Sequence, residues 1–548
     1  MVKQKKRKFI FVVGGVMSGV GKGITSASLG LILKSKGYKV TALKIDPYVN
    51  VDAGTMNPIE HGEVFVTNDG DETDQDMGNY ERFLDIDLSS ENYMTTGRIY
   101  LKVIENERAM KYKGKCVQVV PHIPFEVIKR IRNAAEKHDA DVTIIEIGGT
   151  VGEYENILFL EAARMMKLKE PKSVAVVLVS FMPVPHHIGE MKTKPTQHAA
   201  RSLSSAGLNA DMIFARGPEP LDKPRREKLA IFCGIDAKNC ISAPDVDSIY
   251  EIPDNFEKEN VGNKVLKILG LKAKKTDLSD WDKKVVEKLK NGKKQIKIAV
   301  IGKYFGTGNF TLADSYISVI EAIKHAAWAN DSKAILEWID SERYEKNKKN
   351  VEELKNYNGI IVPGGFGTRG VEGIMQAIKF ARENKIPFLG LCYGMQLASI
   401  EFVRNVIGKK EANSVEINSE TSDPVIHINK NQAENIKEDL YGGTMRLGAY
   451  NCQIKKSTKT FDAYQSEMIS ERHRHRYEFN NEYRKEIEDA GLQITGINPE
   501  SDLVEIIELQ NHPFFIGVQF HPEFKSRPMR PHPLFNHFIK ATLGNLKK

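Results

Sequence analysis

From residue 8 to about 270, short apolar runs alternate with amphipathic stretches. "KFIFVV", "KVTALKID", "KCVQVV", "DVTIIEIG", "SVAVVLVSF" and "ADMIFA" have the length and β-branched content of strands. Between several of them lie helical patterns such as "PFEVIKRIRNAAEKH", where Pro124 suits a first helical turn. This alternation predicts a parallel sheet with helices on both faces. From about 272 to 295 the pattern breaks into "KAKKTDLSDWDKKVVEKLKNGKKQ", rich in Lys and Asp, which reads as a linker with one amphipathic helix. A second series follows with "IKIAVIGKY", "GIIVPGGFG", "IPFLGLCYG" and "FFIGVQFH". The expected organisation is two α/β domains without internal repeats, residues 1–272 and 297–548, joined by 273–296.

Length agrees, since 548 residues exceed one ordinary core. Apolar residues at 41% and charged residues at 28% place the chain among globular proteins. A formal charge of +7 is small for this length and gives no reason to expect a nucleic-acid partner. "KQKKRKFIFVV" has a basic start, but Gly14 and Gly15 end its apolar run, so it reads as a lead-in to the first strand and not as a signal peptide. No apolar run approaches the roughly 18 residues of a membrane span, so no membrane partner and a cytoplasmic location are expected. Cys116, Cys233, Cys240, Cys392 and Cys452 are odd in number and form no CxxC pair, against a disulfide framework or zinc site. They leave room for a nucleophile.

After the first run comes "GGVMSGVGKG", residues 14 to 23. Closely spaced glycines between a strand and a helix let backbone N–H groups face phosphate oxygens, and the helix N-terminus adds a favourable dipole. Lys22 would neutralise the β and γ phosphates. The common P-loop has four residues before its Gly-Lys, whereas five separate Gly15 from Gly21 here. A phosphate site also needs hard oxygen ligands for magnesium. "DGDETDQDMG" offers Asp74 and Asp76, and Glu146 ends the run "DVTIIEIG", where open α/β sheets place ligand-binding groups. In the second half, "GLCYG" at 390–394 has the Gly-x-Cys-x-Gly form of a nucleophile elbow. "QFHPEF" supplies a base, His521, and an orienting carboxylate, Glu523.

"DPYVNVDAGTMNPIEHGEVFVTNDGDETDQDMGNYERF", "IEIGGTVGEYE" and "KTKPTQHA" resemble the amidoligase domain of the CTP synthase family, and the resemblance covers nearly the whole chain. It makes the longer glycine loop a family variant. It implies an N-terminal P-loop amidoligase with a mostly parallel sheet and a C-terminal class I glutamine amidotransferase. The implied chemistry is phosphorylation of the uracil O4 of UTP by ATP, then displacement of phosphate by ammonia.

By resemblance, ATP would meet Gly19, Val20, Gly21, Lys22, Gly23, Ile24 and Asp76, with Pro244, Asp245 and Val246 at adenine. Magnesium would sit on Asp76 and Glu146. UTP and the product CTP would meet Ser18, Glu153, Tyr154, Glu155, Lys192, Thr193, Lys194, Pro195, Thr196, Gln197 and Lys228. The second domain resembles class I glutaminases, with Cys392 attacking glutamine, His521 moving the proton and Glu523 orienting His521. "VPGGFGTRG" matches the oxyanion-hole loop, placing Gly365 and the Tyr393 N–H at the hole and Gly394, Met395, Gln396, Glu416 and Arg476 around glutamine. Tyr393 departs from the family's usual Leu. By charge alone "ERHRHRYE" equally suggests a phosphate or nucleic-acid patch. The resemblance further implies internal passage of ammonia, CTP feedback inhibition, GTP activation and a homotetramer. Another amidoligase, of the kind that amidates cobyrinic acid, and a nucleotide-sensing or filament-forming protein without turnover are the rival readings.

Overall fold

The computed structural model describes residues 6–187, 189–292, 294–302, 306–307, 310–311, 313–428 and 443–546. The start of "KQKKRK" and Lys303-Tyr304 of "IKIAVIGKY" lie outside them. Contacts divide the chain into two units, one of residues up to Ala53 with Asp76–Val286, the other of Gly54–Gln75 with Glu287–Lys548.

The first unit is built on a sheet of seven parallel strands: β1 Lys8–Gly15, β2 Val40–Asp46, β3 Tyr93–Thr95, β4 Val142–Ile147, β5 Val174–Phe181, β6 Met212–Gly217 and β7 Cys240–Pro244. Their order is β3-β2-β4-β1-β5-β6-β7. The strands read as unbroken apolar runs because helices cover both faces, so both alternating side-chain sets are buried. Helices α1 Lys22–Ser35, α2 Asp76–Leu84 and α3 Val119–Lys137 belong to this unit. The expected strand "KCVQVV" is not one. Residues 115–118 are irregular, Val119 and Val120 are exposed, and Val119 opens α3, because Pro121 and Pro124 remove ladder donors and suit a helix start. The short edge strands β3 and β7 lay outside the sequence reading.

The segment expected as a linker begins by packing onto the first unit. Trp281 is buried against Phe83 and Tyr250 and donates from its indole nitrogen to the Tyr250 carbonyl at 3.0 Å.

The second unit has a nine-stranded sheet: β8 Lys294–Gly302, β9 Ser332–Asp340, β10 Gly359–Val362, β11 Phe388–Leu391, β12 Arg446–Ile454, β13 Met468–His475, β14 Leu492–Ile497, β15 Val504–Leu509 and β16 Phe515–Val518. The order is β9-β8-β10-β11-β16-β15-β14-β12-β13, parallel through β16 and antiparallel beyond it. Gly54–Gln75 packs within this unit. Its Phe65 ring meets Phe524 edge-on at 5.1 Å, and Arg472 donates to the Val66 carbonyl at 3.0 Å. Glu72 pairs with Arg474 at 2.8 Å, and Glu63 accepts from the Ser318 hydroxyl and amide.

Candidate active sites

In the first unit the chain leaves β1 through a loop in which Val16, Gly19 and Gly21 all have positive φ, 80°, 70° and 90°. Gly21 is the N-cap of α1, so the turn that reverses the chain also opens the helix. Ser18 and Gly19 are exposed, whereas Val20, Lys22 and Gly23 are buried. Gly23 lets the Asp76 carboxylate approach the backbone, since a methyl group there would strike it and force the side chain to shift.

Strand register gathers the charges. Val12 of β1 pairs with Glu146 of β4, which pairs in turn with Lys44 of β2, while Asp46 ends β2 and Asp76 opens α2. Lys44 contacts Asp76, lies 3.3 Å from Glu146 and 3.5 Å from Asp46. Tyr80 donates to Glu146, and Lys22 donates to the Gly149 carbonyl at 3.0 Å. Burial lowers the Lys22 pKa against the opposing pull of Glu146. Burial likewise raises Glu146 and pushes Asp46 up to about 6, against Lys44. At Asp76 burial is outweighed by the charge and hydrogen bond of Lys44, so its pKa falls. Lys44, Asp46 and Tyr80 were missed by the sequence reading, since in "KVTALKID" the first two look like ordinary strand positions.

Beside the loop, Ile24, Arg216, Phe256 and the run Pro244, Asp245, Val246 line a cavity of about 200 Å³. Arg216 holds that run in place, donating to the carbonyls of Ala243 and Pro244 at 3.0 Å and to Asp245 at 2.9 Å. Glu153 caps the turn after β4 by accepting from the Thr150 amide at 2.8 Å, while Tyr154 and Glu155 are exposed. In "KTKPTQ" the side chains divide. Lys194 is exposed and Lys192 is half-buried, Pro195 starts a helix, and Gln197 donates inward to Thr193 at 3.0 Å. Thr196 accepts from Ser180 at 2.8 Å. Lys228 is exposed on helix Lys223–Cys233.

In the second unit, Cys392 sits between β11 and helix α4, Tyr393–Phe402, with φ 48° and ψ −97°. Such a backbone is strained for a side-chain-bearing residue and marks a nucleophile elbow. Small neighbours are required: a methyl at Gly390 would lie 2.8 Å from Gly394, and one at Gly394 would strike the Val362 carbonyl. His521 Nδ1 is 2.8 Å from Glu523 Oε1, and the imidazole stacks on Phe524. That leaves Nε2 buried and without a hydrogen-bond partner among the described residues. Burial pushes the His521 pKa down, but the charge of Glu523 and the charge and hydrogen bonding of Cys392 carry it up to about 10.

The loop after β10 packs against the imidazole. A methyl at Gly364 would lie 2.8 Å from His521 Cε1, Gly365 is half-buried, and the Gly367 amide donates to Glu416 at 2.7 Å. Gln396 donates to the Tyr477 carbonyl at 3.0 Å, Met395 is in the core, and Arg476 donates to Thr444 at 3.0 Å. Gln519, another omission, donates toward Cys392 Sγ at 3.6 Å. "ERHRHRYE" is no surface patch: Arg472, His473 and His475 are buried.

Residues 8–271 match the family described as CTP synthase N-terminus, and residues 311–541 match glutamine amidotransferase class-I. The chain is thus a carbon–nitrogen ligase with its own glutaminase, using glutamine as amide donor. It is 52% identical to a CTP synthase of Carboxydothermus hydrogenoformans over 98% of this chain and 99% of that one. It is 51% identical to a CTP synthase of Thermococcus gammatolerans over 97% of this chain and 98% of that one. The glutaminase domain of Trypanosoma brucei CTPS with bound acivicin is 38% identical, covering 45% of this chain and 94% of that one, with a TM-score of 0.42. The chain belongs to the CTP synthase family, whose activity is amination of UTP by way of glutamine hydrolysis. Among the described residues no helix is long and apolar enough to cross a membrane.

Proposed function

We propose that residues 1–272 carry the amidoligase chemistry and 297–548 the glutaminase, with the residues named above in the roles their geometry supports. The observation that carries the reading is the pair of buried constellations, Lys44 among Asp46, Asp76 and Glu146 in the same unit as Lys22, and His521 paired with Glu523 in the unit that holds the Cys392 elbow. Cys392 Sγ attacks the carboxamide carbon of glutamine, His521 delivers a proton to the departing ammonia, and Glu523 holds the imidazole. The Gly365 and Tyr393 amides receive the oxyanion, and Glu416 and Arg476 hold the amino-acid end. Water hydrolyses the resulting glutamyl thioester to glutamate, and the ammonia attacks C4 of the phosphorylated pyrimidine and displaces phosphate.

In the first unit Gly19–Ile24 and Lys22 cradle the ATP phosphates, and Pro244–Val246 hold the adenine. Ser18, Lys192–Gln197 and Lys228 serve the pyrimidine nucleotide. Among the described residues no three His, Cys, Asp or Glu side chains stand ready-spaced for a metal. The donor set nevertheless fits Mg2+, because Asp76 and Glu146 are hard carboxylates and the buried Asp46 Oδ2 makes no hydrogen bond. When bound, the ion neutralises charge on the transferring phosphoryl group. Lys44 holds the three carboxylates together.

Family membership supports three further elements: competition by CTP with Glu153, Tyr154 and Glu155 distinguishing it from UTP, activation by GTP, and assembly as a homotetramer in the cytoplasm. Incubation of the purified protein with UTP, ATP, Mg2+ and glutamine tests the reading. CTP, ADP, phosphate and glutamate in equal amounts are expected. ATP hydrolysis indifferent to UTP would favour an amidoligase of another substrate.

A further inference from the structure

Tyr393 is almost wholly buried, yet its hydroxyl is used: it donates to the Gly367 carbonyl at 2.6 Å, across the pocket from the start of α4. Gly367, at φ 76°, is held on its other side by the bond from its amide to Glu416. Two successive peptide groups of a glycine-rich loop are thereby fixed, in a segment whose glycines otherwise give it wide backbone freedom. Two residues upstream is Gly365, whose amide the proposed function places at the oxyanion hole, and Gly364 already abuts His521. The opposite wall of that hole is the amide of Tyr393 itself.

We propose that the Tyr393 hydroxyl is a latch that sets the oxyanion hole, so that one residue supplies a donor on one wall and fixes the spacing of the other. A leucine at this position would fill similar space but could not bond the Gly367 carbonyl. The inference rests on reading Cys392 as the glutaminase nucleophile. Tyr393 acts as a positioning residue through its side chain, and the gain is preorganisation: the hole need not be assembled as charge develops.

The test uses Tyr393→Phe, which keeps the ring and removes only the hydroxyl, and Tyr393→Leu as a second variant, both in the full chain. Two probes of Cys392 are compared. Iodoacetamide alkylates the sulfur without needing the hole. L-Glutamate γ-semialdehyde adds sulfur to its carbonyl carbon while the π electrons move to oxygen, giving a tetrahedral adduct that does need it. Tyr393→Phe should raise the inhibition constant of the aldehyde and lower kcat for glutamine hydrolysis by about tenfold each, less than the ~10²–10³ expected for deleting a hole donor. KM should move less than about threefold, and alkylation should stay within about twofold. Tyr393→Leu should lose as much. Aldehyde affinity and kcat within about twofold of the unaltered enzyme, or an equal fall in alkylation and aldehyde binding, overturns the latch. If the unaltered enzyme is neither alkylated at Cys392 nor inhibited by the aldehyde, the glutaminase reading of the site fails, and the latch with it.

Discussion

Replacing Lys22 by Met separates what the residue does for catalysis from what it does for folding. The ammonium is buried at the first turn of α1, 3.0 Å from the Gly149 carbonyl, and burial lowers its pKa despite the attraction of Glu146 and Asp76. A lysine whose folded pKa is depressed is, on balance, unfavourably placed as a cation below that pKa. Methionine preserves the length and removes the charge. The ligand-free protein should therefore lose little stability, under about 1 kcal/mol by urea unfolding, or gain slightly. The transition state is the opposite case. Negative charge on the transferring phosphoryl makes a fixed ammonium worth roughly 3 kcal/mol, so CTP formation should fall about a hundredfold. The assay is CTP production from UTP, ATP and ammonium chloride, which bypasses the glutaminase, alongside glutamate release to confirm that Cys392 still turns over. Near-normal CTP formation would remove Lys22 from the phosphate site, and a large loss of stability would show that its contacts to Gly149 and the carboxylates are structural.

Other perturbations reach different parts of the molecule. Glu523→Gln removes the anion that raises His521, so the imidazole should titrate at a lower pH by NMR, and an unchanged value near 10 would contradict the orienting role. Because that folded pKa lies above the unfolded one, the pair's contribution to stability is complete below about pH 6.5 and disappears as pH rises through about 10 in the unaltered protein. Arg474→Met strands the buried Glu72 carboxylate and should cost about 3 kcal/mol in urea unfolding, with Glu72→Gln in the same chain restoring part; a cost below about 1 kcal/mol would make the pair a mere surface contact. Glu155→Ala should weaken CTP inhibition about fivefold or more while changing the UTP requirement less, and equal effects on both would mean the segment only supports the turn.

What could be read before the structure depended on whether neighbours in sequence are also neighbours in space. Glu146 was legible because it ends an apolar run, where parallel sheets expose side chains to ligands, and Cys392 because glycines on both sides signal an elbow. Lys44 and Asp46 were not, since the meaning of Lys44 comes from its register partner Glu146, about a hundred residues away, and Asp46 joins the cluster through Lys44. "KCVQVV" had strand composition, but Pro121 and Pro124 decided its backbone, and the apolar residues stay exposed at the start of α3. The RHRH segment has a polar sequence and a buried position, because Arg472 finds its acceptors on Val66 and Asn68 of the inserted segment. Tyr393 could be noticed as unusual, but its bond to Gly367 depends on a loop folding back over α4.

The two sites divide the proposed labour: one releases ammonia and the other consumes it. Cys392→Ala tests this division directly, with CTP production measured once with glutamine and once with ammonium chloride at alkaline pH, where free NH3 is plentiful. No CTP should form from glutamine, because the Gln519 amide and the Arg474 carbonyl that contact the sulfur are not comparable nucleophiles, and CTP formation from ammonia should be near normal. Failure with both nitrogen sources, in a variant that remains folded, would contradict the division.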